Sequence, residues 1–248
     1  MHTLICIDDT DNLDSRGTGD LASEIARNIE SHGWGTCSYI SRHQLLVHPD
    51  IPYTSHNSSM CFSAEITAEH LNDVIQYSAA FLTMESAAGS DPGLCVAVVD
   101  QIRSRDALVE FGRRAKQSVI TMDEAQQLAQ DLGVHLSGHG GTCQGIIGAL
   151  AGAGLRLYGS DGRLKGQIQI TTDPQRRATV SRICDTSIID EVRSVNGNHP
   201  LEMDLIHLDE KIKAVLLDGK AVLLVAPAET ATGEMTWHAC SKQQLRSY

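Results

Sequence analysis

The sequence lacks any apolar stretch of about 18 residues, the length that crosses a membrane. It opens without a basic region followed by an apolar run, so no secretory signal is expected. It has no CxxC pair. Its seven cysteines, at positions 6, 37, 61, 95, 143, 184 and 240, are scattered, which argues against a zinc ribbon and a disulfide framework and predicts buried free thiols in a reducing cytoplasm. Positive charge is also short. A net charge of −11 speaks against a broad nucleic-acid surface, so tight tRNA binding by the isolated chain is not expected. Basic residues cluster locally at Arg113, Arg114 and Lys116, at Arg156, Arg163 and Lys165, and at Arg176 and Arg177, and each cluster reads as a solvated face. No internal repeat or low-complexity segment is present. What remains is a globular composition: 248 residues, 42% hydrophobic and 21% charged, enough for one large domain or two small ones.

Periodicity divides the chain into an alternating first part and a mostly β remainder. Thr3–Ile7 is an apolar run that reads as a buried strand. Apolar positions 21, 22, 25, 26 and 29 predict a helix over Asp20–Glu30, with Asp20 as its N-cap and Gly33 beyond its end. Strands are expected at Thr36–Ser41, Met60–Ile66, Leu94–Val99 and Gly166–Thr171. Helices are expected at Glu69–Thr83, Ser104–Ala115, Thr121–Leu132 and Ile146–Ala153. Thr121 with Glu124 three residues on has the form of a capping box. Leu205–Leu208, Lys211–Leu217 and Ala221–Ala226 read as short strands, the last two joined by an Asp218-Gly219 hairpin turn. The expected class is α/β (α+β): mixed β-sheets with packed helices, residues 1–175 forming one domain and 176–248 a smaller, mostly β portion.

Three segments carry chemistry. The first is Ile7-Asp8-Asp9-Thr10-Asp11, three carboxylates at the end of a strand. Like charges within ~4–6 Å raise one another's pKa unless a cation compensates, and an oxygen-only donor set suits Mg²⁺ carrying a phosphorylated substrate. Asp9 and Asp11 also suit a turn and a helix cap. The second is Ser137-Gly-His-Gly-Gly-Thr-Cys-Gln-Gly145, followed at once by an apolar helix. Its glycines allow backbone N–H groups to surround an anion, aided by the helix dipole. No Lys-Ser/Thr pair follows, so it is not a Walker loop. The third is Val47-His-Pro-Asp-Ile-Pro-Tyr-Thr-Ser-His-Asn-Ser, stiffened by two prolines. Thr54, Ser55, His56, Asn57 and Ser58 there offer hydrogen-bonding groups at a strand mouth.

Taken in order, four segments resemble the archaeal tRNA-isoleucine agmatidine synthetases, in particular their ATP-using kinase domain. Ile5-Cys-Ile-Asp-Asp-Thr-Asp with Arg16-Gly17 looks like the family's Gly-Ile-Asp-Asp-Thr-Asp and Arg-Gly. His48-Pro-Asp-Ile-Pro-Tyr is similar to its Asn-Pro-Asn-Ile-Pro-Trp, and Ser90-Asp-Pro-Gly-Leu-Cys-Val to its Asn-Pro-Gly-Val-Val stretch. Gly145-Ile-Ile-Gly-Ala-Leu-Ala resembles its Gly-x-Ile-Gly-Ala-Leu-Ala. The resemblance covers about residues 1–175. It departs where the family has a self-phosphorylated threonine: Asp20 stands at that count from Arg16, with Thr18 nearby, so no threonine autophosphorylation is expected there. The family's basic pair after the proline segment, its OB-fold and its zinc ribbon have no counterpart.

The resemblance implies a cytoplasmic, kinase-like ATP- and Mg²⁺-dependent transferase or ligase, a phosphotransferase or ATP-activating enzyme acting on a small molecule. A homodimer is compatible with it. Asp8, Asp9 and Asp11 would hold Mg²⁺. Ser137, Gly138, His139, Gly140, Gly141, Thr142 and Gly145 would hold ATP. Catalytic roles would fall to Asp9, Asp11, Arg16, Asp20 and His56, with Arg16 stabilising phosphoryl oxygens and His56 or Asp20 as base. Two alternatives stay open: a non-catalytic nucleotide-binding or partner module, and a tRNA-modifying subunit whose RNA-binding domains lie on another chain.

Overall fold

Strand β1 (His2–Asp8) runs down the middle of the first sheet, and its side chains alternate between two helical layers. The computed structural model describes residues 1–51, 56–229 and 235–245, so Pro52, Tyr53, Thr54 and Ser55 of the proline segment lie outside the described residues. The chain divides into two units, Met1–Tyr158 and Gly159–Tyr248. The first contains β1, α1 (Thr18–Ser31), β2 (Gly35–Cys37), β3 (Ser41–Gln44), β4 (Ser58–Ile66), α2 (Leu71–Glu85), β5 (Gly93–Val98), α3 (Arg105–Arg114), α4 (Met122–Leu132), β6 (His135–Gly138) and α5 (Gly145–Tyr158).

Its strand order is β6-β5-β1-β4-β3, with β2 also on β4, and every pair is antiparallel. Leu4 and Cys6 of β1 join Cys61, Cys95 and Ala97 beneath Leu108, Phe111, Ala129, Ala149 and Leu150 of α3, α4 and α5. Ile5 and Ile7 face the other way, with Phe62, Leu94 and Val96, against Leu21, Ile25 and Ile29 of α1 and Val74, Phe81 and Leu82 of α2. Each such buried aliphatic or Phe side chain contributes ~1.5–3 kcal/mol. Helices on both faces explain why β1 reads as an unbroken apolar run, a pattern usual in parallel sheets. The strand whose end carries the three carboxylates is therefore paired antiparallel on both sides. Cys6 lies between Cys61 and Cys95 in register, three thiols abreast across the sheet.

Local signals place most elements. Thr121 caps α4 by accepting from the Glu124 N–H, and Ser104 caps α3 through the Ala107 N–H. The expected cap at Asp20 is corrected: α1 starts earlier, after an extended Gly17, and Asp20 lies inside its first turn. The single strand expected at Thr36–Ser41 is two short strands, because β2 and β3 meet different stretches of β4. Strand β6 had no apolar alternation to announce it; it forms by pairing with β5.

The second unit is mostly β, as expected: β7 (Arg163–Leu164), β8 (Arg177–Thr179), α6 (Val180–Thr186), β9 (Glu191–Ser194), β10 (Leu205–His207), β11 (Val215–Leu217), β12 (Lys220–Glu229) and β13 (Met235–Ala239). The order is β7-β11-β12-β13-β10-β8, with β9 parallel to β12 and β10 parallel to β13. Asp218 and Gly219 both have positive φ (51° and 76°) and close the β11–β12 hairpin as the pair predicts. No strand forms over Gly166–Thr171. Gly166 has φ of 90°, which ends the extended run after Leu164. The class is α+β, with six α-helices and thirteen strands among the described residues. Among those residues no helix is long and apolar enough to cross a membrane.

Candidate functional site

Asp8 ends β1 on the side of Leu4 and Cys6, which turns its carboxylate toward α5. It is 8% exposed and lies against Gly148 in the first turn of that helix, where a Cβ would overlap the Asp8 Oδ2. Gly148 is thus the residue that lets helix and carboxylate share the space. The chain then turns at Asp9, whose φ of 51° is a left-handed conformation that aspartate tolerates better than most residues. Burial, and then the charges of Asp9 and Asp11, push the Asp8 pKa up to about 8, against a hydrogen bond from the Asp9 backbone that lowers it. Burial, Asp91 and Asp11 push Asp9 up to about 6.

Asp91, just before β5, ties this turn to the glycine-rich loop. Its backbone N–H hydrogen bonds to Asp9. Its carboxylate accepts from both the backbone N–H and the hydroxyl of Thr142, the latter at 2.8 Å. Gly141, at φ 52°, packs against the same carboxylate, where a Cβ would collide. The Gly145 N–H donates to the Asp91 carbonyl at 2.9 Å and the His139 N–H to the Pro92 carbonyl at 2.8 Å. Several loop N–H groups are therefore satisfied by the Asp91–Pro92 segment. The Ser137 hydroxyl lies 2.9 Å from His135 Nε2 and 2.8 Å from His139 Nε2. Burial lowers the pKa of both histidines.

Five segments of the first unit line one cavity. Asp8, Asp9 and Asp11 line it from the end of β1, Thr18 from the start of α1, and Gln144, Gly145, Ile147 and Gly148 from the start of α5. Leu45, Asp50, Ile51, His56 and Asn57 come from the segment between β3 and β4, with Ser58 at the start of β4, and Ala115, Ser118, Val119 and Ile120 from the α3–α4 connection. The ends of the β3–β4 segment are fixed: Asn57 Nδ2 donates to the Leu46 carbonyl at 2.6 Å, and the Leu46 N–H to the Ala115 carbonyl at 3.0 Å.

Of the expected site residues, Asp8, Asp9, Asp11, His56 and Gly145 line this cavity together. Ser137, Gly138, His139, Gly140, Gly141 and Thr142 are not among its lining residues; they form the strand end and loop behind Gly145. Arg16 and Asp20 are not among them either. Arg16 is ion-paired with Glu24 and Glu85, both at 2.7 Å, and Asp20 is exposed on α1. Asp91, Thr18 and Gln144 were not singled out as site residues. Asp91 stood in a quoted motif, but its contact with Thr142 spans 51 residues of sequence.

The described lining carries four carboxylates and no lysine or arginine, so an uncompensated anion would be repelled. Among the described residues no group of three or more His, Cys, Asp or Glu side chains is arranged to hold a metal ion. The donors fit a hard cation that brings most of its own ligands, held by one or two carboxylates, better than a cage made by protein alone. The raised Asp8 and Asp9 pKa values have the cause that such a cation would relieve.

No protein-family model matches the chain, and no curated protein matches it in sequence. Solved structures do. A complex of TiaS with its isoleucine tRNA and ATP is 23% identical with a TM-score of 0.55, over 62% of this chain and 36% of that one. A complex of TiaS with the same tRNA, AMPCPP and agmatine is 20% identical with a TM-score of 0.54, over 73% and 43%. A tRNA fluorescent labeling enzyme is 23% identical with a TM-score of 0.57, over 73% and 42%. The chain spans less than half the length of each of these proteins. At these identities the likeness is one of fold, and the fold is that of TiaS, the isoleucine-tRNA agmatidine synthetase.

Proposed function

We propose that this chain is an ATP- and Mg²⁺-dependent phosphotransferase or ATP-activating enzyme acting on a small molecule. The observation that carries the reading is the cavity in which the Asp8–Asp11 carboxylates face the N-terminal turn of α5. The fold likeness to proteins solved with ATP and AMPCPP supports it. Asp9 and Asp11, with Asp8 behind them, would hold the magnesium of a bound nucleotide. The bound nucleotide would supply the transferable phosphoryl group, and the magnesium would neutralise its charge. The N-terminal end of α5 at Gln144–Gly148 would favour phosphate oxygens through its dipole. Leu45, Ile51, Val119, Ile120 and Ile147 form the apolar wall that keeps water from the reacting groups. His56 takes the acceptor proton. The 137–142 loop acts through Asp91, which fixes the entry to α5.

Calorimetry tests this. Wild-type protein should bind ATP only with Mg²⁺, and Asp9→Ala should weaken that binding by about tenfold or more, ~1.4 kcal/mol, with cooperative unfolding retained. Equal affinity in both proteins, or binding indifferent to EDTA, would count against the site. A second reading, a tRNA-modifying subunit that borrows its RNA-binding domains, draws support from neighbours solved with tRNA. It predicts ATP turnover that rises only when tRNA and a partner chain are both added.

A further inference from the structure

Strand β6 is the edge strand of the first sheet, and His135, Ser137 and His139 recur along it with a spacing of two. Leu136 packs against the cluster beneath α3, α4 and α5. Alternation therefore sends His135 and Ser137 to the opposite face, in register with Val96 and Leu94 of β5. His139 follows the end of the strand, where its N–H donates to the Pro92 carbonyl. The two imidazoles turn toward one another. Both Nε2 atoms meet the same Ser137 Oγ, His135 at 2.9 Å and His139 at 2.8 Å. All three side chains are half-buried, so the point where they converge lies at the rim of the sheet and not in its core.

A hydroxyl has one proton and fills only one imidazole lone pair. With both rings neutral, one accepts from Ser137 and the other donates to it, so one oxygen holds two rings in opposite tautomers. Burial lowers the pKa of both, which keeps them in the neutral form that ligates metals. Among the described residues neither ring has another hydrogen bond to the protein. Imidazole nitrogen suits zinc and its transition-metal neighbours, whereas Mg²⁺ takes oxygen ligands. A small rotation of each side chain serves to bring both Nε2 atoms to the ~2.0–2.1 Å of a zinc–nitrogen bond. Cys143 lies on the side to which a Gly138 side chain would point, away from the pair, so water fills the remaining positions of the ion.

We propose that His135 and His139 form a two-imidazole site for a zinc ion, which takes the place of the Ser137 hydroxyl between the rings and ties the edge strand β6 to the glycine-rich loop. The site is separate from the carboxylate cavity and does not depend on the nucleotide reading.

Calorimetry with zinc chloride on the full chain, treated with EDTA and desalted, tests the site. Zinc should bind saturably at one ion per chain in the presence of excess Mg²⁺. His135→Gln and His139→Gln should each weaken that binding by about tenfold or more, while His70→Gln beside α2 and Asp9→Ala should leave it within about twofold. His139→Gln, beyond the end of the strand, keeps the test valid if His135→Gln does not fold. Ser137→Ala should retain zinc binding, because the hydroxyl is displaced and is not a ligand. Cobalt in place of zinc reports the donors by its absorption: a spectrum without a thiolate band supports imidazole and water. The proposal is overturned if no saturable zinc binding occurs, if the two histidine variants lose no more than His70→Gln, if the loss follows Asp9→Ala instead, or if cobalt shows thiolate ligation.

Discussion

Asp8 is the residue at which sequence, packing and proposed chemistry meet. It is held buried against Gly148 at the head of α5, with two more carboxylates beside it. Its ordinary pKa of 3.8 rises to about 8 in the folded chain. Between those values the unfolded chain has released a proton that the folded chain keeps, so nucleotide-free stability falls as pH rises through this window. Asp9, raised to about 6, adds a smaller effect of the same sign. Asp8→Asn removes the larger contribution and keeps the side-chain size. Thermal unfolding with divalent cations chelated should find the variant more stable than wild type at pH 8, by several degrees at roughly 2–4 °C per kcal/mol. The gap should close as pH falls toward 4. A gap that does not change with pH would mean that Asp8 is ionised in the fold throughout.

At the scale of elements, legibility followed sequence distance. Helix α4 was readable because its capping box is complete within four residues, Thr121 to Glu124, and the β11–β12 hairpin because Asp218-Gly219 specifies its own turn. Strand β6 and the anchoring of the 139–144 loop were not, because both depend on partners some forty to fifty residues away in β5 and at Asp91. The glycines of that loop suggested an anion cradle; much of the polar work they permit is taken up by Asp91 itself. Asp91→Ala should therefore loosen the loop more than it destabilises the fold. We expect a loss of about 1 kcal/mol, since water can replace these exposed bonds in part, with faster amide exchange at residues 139–144. Exchange there that is unchanged from wild type would assign the loop's order to its other contacts. Removing Asp91 also removes a neighbouring negative charge that raises the pKa of Asp9.

At the scale of the molecule, periodicity indicated an α+β class and a mostly β second part, but not how residues distant in sequence assemble. The cavity draws on five segments, of which the proline segment and the two aspartate- and glycine-rich motifs were legible, whereas Thr18 at the start of α1 and the α3–α4 connection that completes its wall carry no recognisable chemistry. The thiol row of Cys6, Cys61 and Cys95 turns the middle of the first sheet into a clock. Burial raises the pKa of Cys6 and Cys95, and only a thiolate reacts with a disulfide reagent. Modification of these residues must wait for β1, β4 and β5 to part, whereas the partly exposed Cys143 and Cys184 can react from the native state. A chromogenic disulfide reagent should give a fast phase and a slow phase, the slow rate matching global unfolding measured by fluorescence. Mass mapping should find Cys6, Cys61 and Cys95 labelled together in the slow phase, so that the protein reports the lifetime of its own folded state.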